Sequence, residues 1–412
     1  MRREQLCPLG AAGSLMLRNN LQNPRLKCTG RVEGDFGRAY VMDLQSLART
    51  GDWETMLSGR RKDHRCLRII EETIRQDFEY HYLVLEDTDG RVRDVQPFFV
   101  HTQDLLAGMG SRVRRIIGWL RKLVPNLLTL RTLMVGSPTC EGHLTGDPEN
   151  ARWCARAMHR ALERLARQHR ASMVVLKEFP SIHRKSLGCF TDDGYTRIAS
   201  MPYATLDLDF ADFEHYLQSA LSKSFRKNLR RKFKCAAAAG QIEMQTVDRL
   251  GPLVDEVYPL YLQVYERAEL KFEKLTKEYL RRMGEECPDK TRFFIWRHKG
   301  RAVAFSACTI HDQAIWDEYL GLDYSVALDL HLYFVTFRDL INWACAQGLR
   351  RYYTTALNYD PKLHLKCDLV PLDLYVRHTN SIVNVLVRPF LKLLGPTRGD
   401  PVISRFPNAN EL

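Results

Sequence analysis

One order of secondary structure is predicted twice in this chain. In the second half, alternating apolar residues and a Lys299-Gly300 turn predict a hairpin, followed by a strand, an amphipathic helix and another strand. The first half repeats this order around Asp89-Gly90. The segments are FFIWRHKGRAVAFSACTIHD, AIWDEYLGL, LYFVTFRDLINWACAQGL and RRYYTTAL in the second half, and HYLVLEDTDGRVRDVQPFFV, TLRTLMVG, ARWCARAMHRALERLARQHR and ASMVVLKEF in the first. We therefore predict an α/β (α+β) protein of two related units, each a mixed, mostly antiparallel sheet flanked by helices, packed around a shared ligand-binding groove.

The length of the chain and the changes in its pattern predict where the units begin and end. A chain of 412 residues is long enough for two cores. Gly, Pro and charged residues mix over 1–35, which predicts a flexible lead-in. We place the first unit at 36–210, the second unit at 211–400 and a tail at 401–412, because a new helix begins near the boundary.

The charge of the chain indicates which partners it favours. Its net charge is +12, from 61 Lys and Arg against 49 Asp and Glu. Such an excess favours anionic partners, namely nucleotide phosphates, nucleic acid such as tRNA, or acidic lipid headgroups. A basic, solvated surface without specificity accounts for the charge equally well.

The cysteines and the apolar segments bear on the compartment. Eleven cysteines are scattered from Cys7 to Cys367 without a CxxC pair, which predicts reduced thiols, a cytoplasmic protein and no metal site. No apolar run reaches the roughly 18 residues of a membrane span. Two basic and apolar segments leave open a peripheral contact with anionic lipid at the inner membrane face. We interpret 112–128 as a helix packed on the sheet, and 381–398 as interrupted at Pro389.

A basic helix at 221–239 is the sharpest local signal. On a helix, Phe225, Leu229 and Phe233 form one apolar stripe. The other side carries a row of cations, which are Lys223, Arg226, Lys227, Arg230, Arg231 and Lys234. Such a row is unfavourable unless an anion meets it, and guanidinium groups bind phosphates well. The row therefore predicts a phosphate site; a solvated charged face and a nucleic-acid-binding arm are the alternatives.

Taken together, these segments resemble the Fem-type branch of the GNAT acyltransferase superfamily, which includes many uncharacterised bacterial proteins. The resemblance rests on the repeated order of elements, on KSFRKNLRRKFK and GYTRIASMPYATLDL, and on TTALNYDPKLHLKCDLVPLDLYVRH, and covers roughly 60–400. It implies two GNAT-like units and transfer of an acyl or aminoacyl group to an amine. The glycine-rich turn that holds coenzyme A in ordinary GNAT enzymes has no counterpart in LDYSVALDLHLYFVTF. The donor is therefore left open between acyl-CoA or another acyl thioester and aminoacyl-tRNA, and the acceptor is a small-molecule or lipid amine.

Aminolysis needs a group that accepts the proton of the amine and a donor for the developing oxyanion. AIWDEYLGL carries Asp317, Glu318 and Tyr319 in a row. Strand alternation predicts Asp317 and Tyr319 on one face and Glu318 on the other. We predict Asp317 or Glu318 as the proton acceptor and Tyr319 as a hydrogen-bond donor. The alternative is one carboxylate paired with an arginine and the other in solvent.

Further candidates for ligand binding follow along the chain. His331 begins the next helix, where anions bind, although a capping or surface role is also open. In NYDPKLHLK, Tyr359 precedes Lys362, His364 and Lys366, whose spacing of two predicts one cationic face of a strand. An anionic ligand or a protected sheet edge would explain that face. A non-catalytic protein that binds RNA or anionic lipid on the same fold is the alternative to an enzyme.

Overall fold

The chain forms two compact units in a computed structural model that describes residues 28–50, 52–104, 129–268, 271–393 and 395–412. The first unit comprises residues up to His64, Arg75–Ile198 and Asp373–Gly395, and the second comprises Arg65–Ile74, Ala199–Leu372 and Pro396–Leu412. The predicted units were continuous blocks, whereas in the structure each unit takes segments from both halves of the chain. The reason is that a late strand completes the sheet of the first unit.

Fifteen strands are described in the covered ranges. In chain order they are β1 Cys28–Gly34, β2 Gly37–Met42, β3 Phe78–Glu86, β4 Val92–Asp104, β5 Thr129–Val135, β6 Met173–Pro180, β7 Thr196–Ala199, β8 Tyr203–Asp207, β9 Ile242–Val247, β10 Thr291–His298, β11 Arg301–His311, β12 Ala314–Leu322, β13 Arg351–Thr354, β14 Asp368–Val370 and β15 Leu372–His378. They form an eight-stranded sheet, β1-β2-β3-β4-β5-β6-β15-β7, and a seven-stranded sheet, β14-β8-β13-β12-β11-β10-β9.

Helices flank both sheets. Those described are α1 Leu44–Ala48, α2 Asp52–Leu57, α3 His64–Thr73, α4 Pro148–Gln168, α5 Gly188–Asp192, α6 Phe213–Ala220, α7 Lys223–Ala239, α8 Val254–Arg267, α9 Lys277–Glu286, α10 Leu332–Ala346, α11 Tyr359–His364 and α12 Ser381–Leu393. The prediction of two mixed, mostly antiparallel sheets with flanking helices is confirmed. The shared groove stays a prediction.

The repeat predicted from the sequence is present in the strand pairings. In the first unit β3, β4 and β5 pair antiparallel, and β5 pairs parallel with β6 across the connecting helix α4. The second unit repeats this with β10, β11 and β12, and with the parallel pair β12–β13 across α10. The amphipathic helix predicted in the first half is α4, whose Ala157, Ala161 and Leu165 are buried in the core of the first unit. Two parallel neighbouring strands need a long crossover between them, and in both units this crossover is a helix. The order strand, helix, strand therefore occurs in both units.

The structure differs from two predictions, one for the N-terminal lead-in and one for the helix near the C-terminus. Cys28–Gly34 of the predicted lead-in forms β1, paired antiparallel with β2, while 1–27 and the basic segment 112–128 lie outside the described residues. The predicted interruption at Pro389 is wrong, because α12 runs through this proline. Among the described helices, none combines the length and the apolar character needed to cross a bilayer.

Candidate active site

The parallel strand pair of the second unit ends at Asp317. The pairing of β12 with β13 runs from Ala314 opposite Arg351 to Asp317 opposite Thr354. β13 ends there, whereas β12 continues to Leu322. Ligands of α/β sheets bind in the crevice at the carboxyl ends of the strands. The candidate site is therefore the place where β12 and β13 separate, with Asp317 at its edge.

A β-bulge lies at the same point. On the β11 side, Ala307 is opposite Tyr319 and the next residue, Cys308, is opposite Asp317, so Glu318 is the extra residue of β12. Bulges redirect side chains and are frequent beside active sites. The extra residue changes the alternation of the strand, and the prediction that Asp317 and Tyr319 share one face is wrong. Glu318 is half-buried at the bulge and stays an alternative proton acceptor.

Tyr319 belongs to the opposite side of the sheet from Asp317. Its hydroxyl donates to Glu273 Oε1 over 3.2 Å, and its ring packs edge-on against Tyr261 of α8 and Tyr279 of α9. Burial raises the pKa of Tyr319 well above its usual value. The structure therefore does not bring Tyr319 to Asp317, and we withdraw its role as the donor to the reacting group.

Asp317 is instead held by two hydroxyl groups that the sequence did not single out. Ser306 Oγ on β11 donates to Oδ1, and the Tyr352 hydroxyl on β13 donates to Oδ2 over 2.8 Å. The thiol of Cys308 lies 3.8 Å from Oδ1. Burial raises the pKa of Asp317, although the hydrogen bonds from Ser306 and Tyr352 oppose the shift. The carboxylate is thus oriented and is more basic than an exposed aspartate.

Lys362 on α11 is buried close to this carboxylate. Only 3% of the residue is exposed, and its Nζ donates to the carbonyl oxygens of Thr355 and Leu357, the latter over 2.7 Å. Burial lowers the pKa of Lys362 to about 8, while the charges of Cys367 and Asp317 oppose the shift. An amine with this pKa exchanges a proton near neutral pH. Lys362 is therefore a buried neighbour of Asp317, and the prediction that it lies on the exposed face of a strand is wrong.

The segment around Lys362 is a helix and not the predicted strand. Tyr359–His364 forms α11, with Pro361 in its first turn, where the missing N–H is not needed. Tyr359 is buried, and its hydroxyl donates to the Pro202 carbonyl over 2.8 Å, so this predicted ligand-binding residue belongs to the core. His364 stacks on Phe225 with ring centroids 5.4 Å apart. Lys366 follows the helix with a φ of 57°.

The basic helix α7 packs by the stripe that the sequence predicts. Leu229 is fully buried, and Phe225 and Phe233 are partly buried against the core of the second unit. Arg226 donates to the Gln218 carbonyl over 2.5 Å, and Arg230 forms an ion pair with Glu214. Both arginines thus face α6. The exposed cations of α7 are Lys223, Lys227, Arg231 and Lys234, with Arg230 exposed beside its partner.

His331 lies at the N-terminus of α10, next to α7. It occupies the N-cap position with a φ of 48° and makes no side-chain capping bond. Burial, followed by the charges of Lys232 and Arg231, lowers the pKa of His331. The Nζ of Lys232 is 4.2 Å from the ring centroid of Phe334. The structure therefore joins His331, two cations of α7 and the positive end of a helix, which is an arrangement that suits phosphate.

The comparisons with known proteins identify a family resemblance within the second unit. A family model described as an acetyltransferase (GNAT) domain matches residues 223–361, which include α7, the strand pair and α10. This part of the chain has a GNAT-like fold. For residues 223–361 the resemblance to the GNAT superfamily is thereby confirmed, and the first unit shows the same order of elements. A search of curated proteins finds no match.

Solved structures show a distant likeness to the chain. The C-terminal domain of a putative lysylphosphatidylglycerol synthetase from Agrobacterium fabrum is 12% identical, with a TM-score of 0.47 over 81% of this chain and 95% of that one. FemX is 10% identical, with a TM-score of 0.48 over 79% of this chain and 93% of the FemX chain. A tandem GNAT protein of the clavulanic acid biosynthesis pathway is 12% identical, with a TM-score of 0.42 over 83% of this chain and 98% of that protein's chain. At these values the likeness carries no argument about substrate.

One group of potential metal ligands lies in the first GNAT-like unit. Ligand atoms of Glu79, His81 and His169 lie within 4.8 Å of one another. Arg131 donates to both carboxylate oxygens of Glu79, at 3.0 and 2.7 Å. Burial, followed by the charge of His169, lowers the pKa of His81 to about 4. We interpret the group as an ion-paired network, because the guanidinium holds the oxygens that a cation would need.

The buried amine of the second GNAT-like unit predicts a pH-dependent stability. The pKa of Lys362 falls from 10.5 to about 8 on folding. At a pH between these two values, the unfolded chain therefore binds a proton that the folded chain lacks. The contribution of Lys362 to the free energy of unfolding therefore rises with pH across this window, by on the order of 3 kcal/mol. Urea unfolding of the wild type and Lys362→Met at about pH 7.5 and about pH 10.5 measures the difference.

The matched control is Lys366→Met, because Lys366 is an exposed lysine just after the helix that carries Lys362. The pH dependence of its stability should follow that of the wild type. If the stability of Lys362→Met also changes with pH in parallel to the wild type, the buried lysine keeps an ordinary pKa and the proposed environment is wrong.

Proposed function

We propose that the second GNAT-like unit transfers an acyl group to an amine. The observation that carries the proposal is Asp317, a carboxylate oriented by Ser306 and Tyr352 at the carboxyl end of a parallel strand pair. It lies within the part of the chain that matches the GNAT domain. A base in this position serves aminolysis, because the amine must lose a proton as it attacks.

The reaction needs one bond to form and one to break. The amine nitrogen attacks the carbonyl carbon, a C–N bond forms, and the C–S bond of a thioester, or the C–O bond of an ester, breaks. Asp317 accepts the proton that the nitrogen loses, and its raised pKa makes it a better acceptor. The leaving thiolate or alkoxide takes a proton from water. Ser306 and Tyr352 keep the carboxylate oriented throughout.

The cations of α7 support a donor that carries phosphates. Lys227 and Arg231 are exposed, and Arg231 and Lys232 lie beside His331 at the N-terminus of α10. An acyl-CoA, or another acyl thioester with a phosphate-bearing carrier, fits this group, and aminoacyl-tRNA is the alternative donor. When bound, such a donor supplies an activated carbonyl. The acceptor is a small-molecule or lipid amine.

Donor consumption by the full chain tests the proposal. We expect thiol release from at least one of a panel of acyl-CoAs in the presence of mixed amines, or loss of the aminoacyl group from charged tRNA in a parallel assay. Consumption of only one donor class identifies the carrier. Salt-dependent binding of RNA or anionic lipid with no consumption of any donor would contradict the enzyme and support the non-catalytic alternative.

A further inference from the structure

In the first unit, the helix α12 is oriented so that Asn384 faces the rest of the unit. Asn384 is 5% exposed; its Oδ1 accepts from the His378 N–H and its Nδ2 donates to the Gly194 carbonyl, each over 3.0 Å. At the start of the helix, Asn380 Oδ1 accepts from the N–H groups of Ile382 and Val383, over 3.0 and 3.1 Å. These bonds fix both the start and the rotation of the helix.

The opposite side of α12 is apolar and exposed. Ile382, Val385, Leu386 and Phe390 are 75%, 67%, 64% and 61% exposed. Their spacing of three and four residues places them on one stripe. Among the described residues, six large apolar side chains are strongly exposed, and these four are all on α12. A stripe of this kind marks an interaction surface, whereas single exposed apolar residues do not.

We propose that this stripe of α12 docks on an anionic lipid bilayer. Four such side chains expose roughly 400 Å², about half of the ~800 Å² per partner that a stable protein interface buries. A bilayer has no such requirement, since an apolar helix face needs only to enter the headgroup region. The area therefore favours lipid over a second copy of the chain.

The charge near the stripe favours an anionic surface. Arg388 is exposed on α12 itself, at the edge of the stripe. Arginine stems lie along apolar surface while the guanidinium reaches the headgroups. The net charge of +12 adds a general attraction to acidic lipid. Apolar contact and cationic attraction act together in interfacial helices, and each alone binds weakly.

Sedimentation of the full chain with vesicles tests this inference independently of any enzymatic activity. We expect at least a tenfold higher fraction bound to vesicles of phosphatidylcholine with phosphatidylglycerol than to phosphatidylcholine alone, and a decrease with salt. The double variant Leu386→Glu, Phe390→Glu should lose at least tenfold in binding, because it places two carboxylates against the bilayer. Both residues are exposed, so the thermal unfolding midpoint should stay that of the wild type.

Leu328→Glu is the matched control, because Leu328 is 79% exposed but belongs to the second unit. This variant should bind vesicles like the wild type. Equal vesicle binding by the α12 double variant would overturn the proposal, as would no binding by the wild type. A concentration-dependent dimer that the double variant abolishes would also overturn it and assign the stripe to a second copy.

Discussion

Replacing Asp317 with Asn is expected to lower kcat/KM for acyl transfer by about 10²- to 10⁴-fold, the usual contribution of a positioned base. The amide has nearly the shape of the carboxylate; its oxygen still accepts from one of the hydroxyls of Ser306 and Tyr352, and its NH2 group donates to the other. What the variant loses is the ability to take the proton of the amine. The measurement is initial rate against substrate concentration with the donor that the wild type consumes.

The pH dependence separates a lost base from a damaged fold. The raised pKa of Asp317 means that activity of the wild type falls as the pH is lowered through this value, because the protonated carboxyl accepts no proton. Asp317→Asn should lose this acid limb while keeping its residual rate. Tyr352→Phe, which removes one orienting hydrogen bond, should keep the limb and show a smaller loss of rate.

Asp312→Asn provides the control for the same chemical change. Asp312 is exposed in the turn between β11 and β12, with a φ of 48°, a conformation that asparagine tolerates well. Its kcat/KM should equal that of the wild type. An unchanged kcat/KM in Asp317→Asn would exclude Asp317 as the proton acceptor. Glu318 or Lys362 would then be the candidate for this role.

The elements of this fold could be predicted because each one has a local signal. Alternation, turn residues and helical spacing identified both hairpins, the strands after them and the packed stripe of α7, in which Leu229 is fully buried. In the first unit, Ala157 and Leu165 of the predicted amphipathic helix are buried in the core. Local physics thus determines what each segment is, although the place of β15 in the first sheet depends on contacts with distant strands.

The candidate site depends on register, which local signals do not determine. One extra residue at Glu318 changes the side of the sheet on which Tyr319 lies. Tyr352, the partner of Asp317, is 35 residues away along the chain and meets it only through the parallel pairing. Lys362 was predicted to line a strand, yet its segment Tyr359–His364 is a helix, and the Tyr359 hydroxyl donates to the Pro202 carbonyl. Tertiary contacts decided these positions.

Charge reversal on α7 is expected to weaken binding of a phosphate-bearing donor strongly. We expect the double variant Lys227→Glu, Arg231→Glu to raise the Kd at least tenfold, since two exposed attractions on α7 become repulsions, and Arg231 lies beside His331. With charged tRNA, the slope of log affinity against log salt should fall by about 2, one for each phosphate that the variant no longer neutralises. Because neither residue contacts the Asp317 group, kcat at saturating donor should change little.

The control for net charge is Lys185→Glu, Lys299→Glu, which changes the charge of the chain equally at exposed positions outside α7. If both double variants weaken binding alike, the attraction comes from the overall charge and the site on α7 is wrong. The choice of Lys227 and Arg231 follows from the structure, because Arg226 and Arg230 are engaged by Gln218 and Glu214 of α6. Arg226→Ala and Arg230→Ala should therefore affect donor binding less than the reversal on the exposed side, and a larger effect would place the phosphates between α6 and α7.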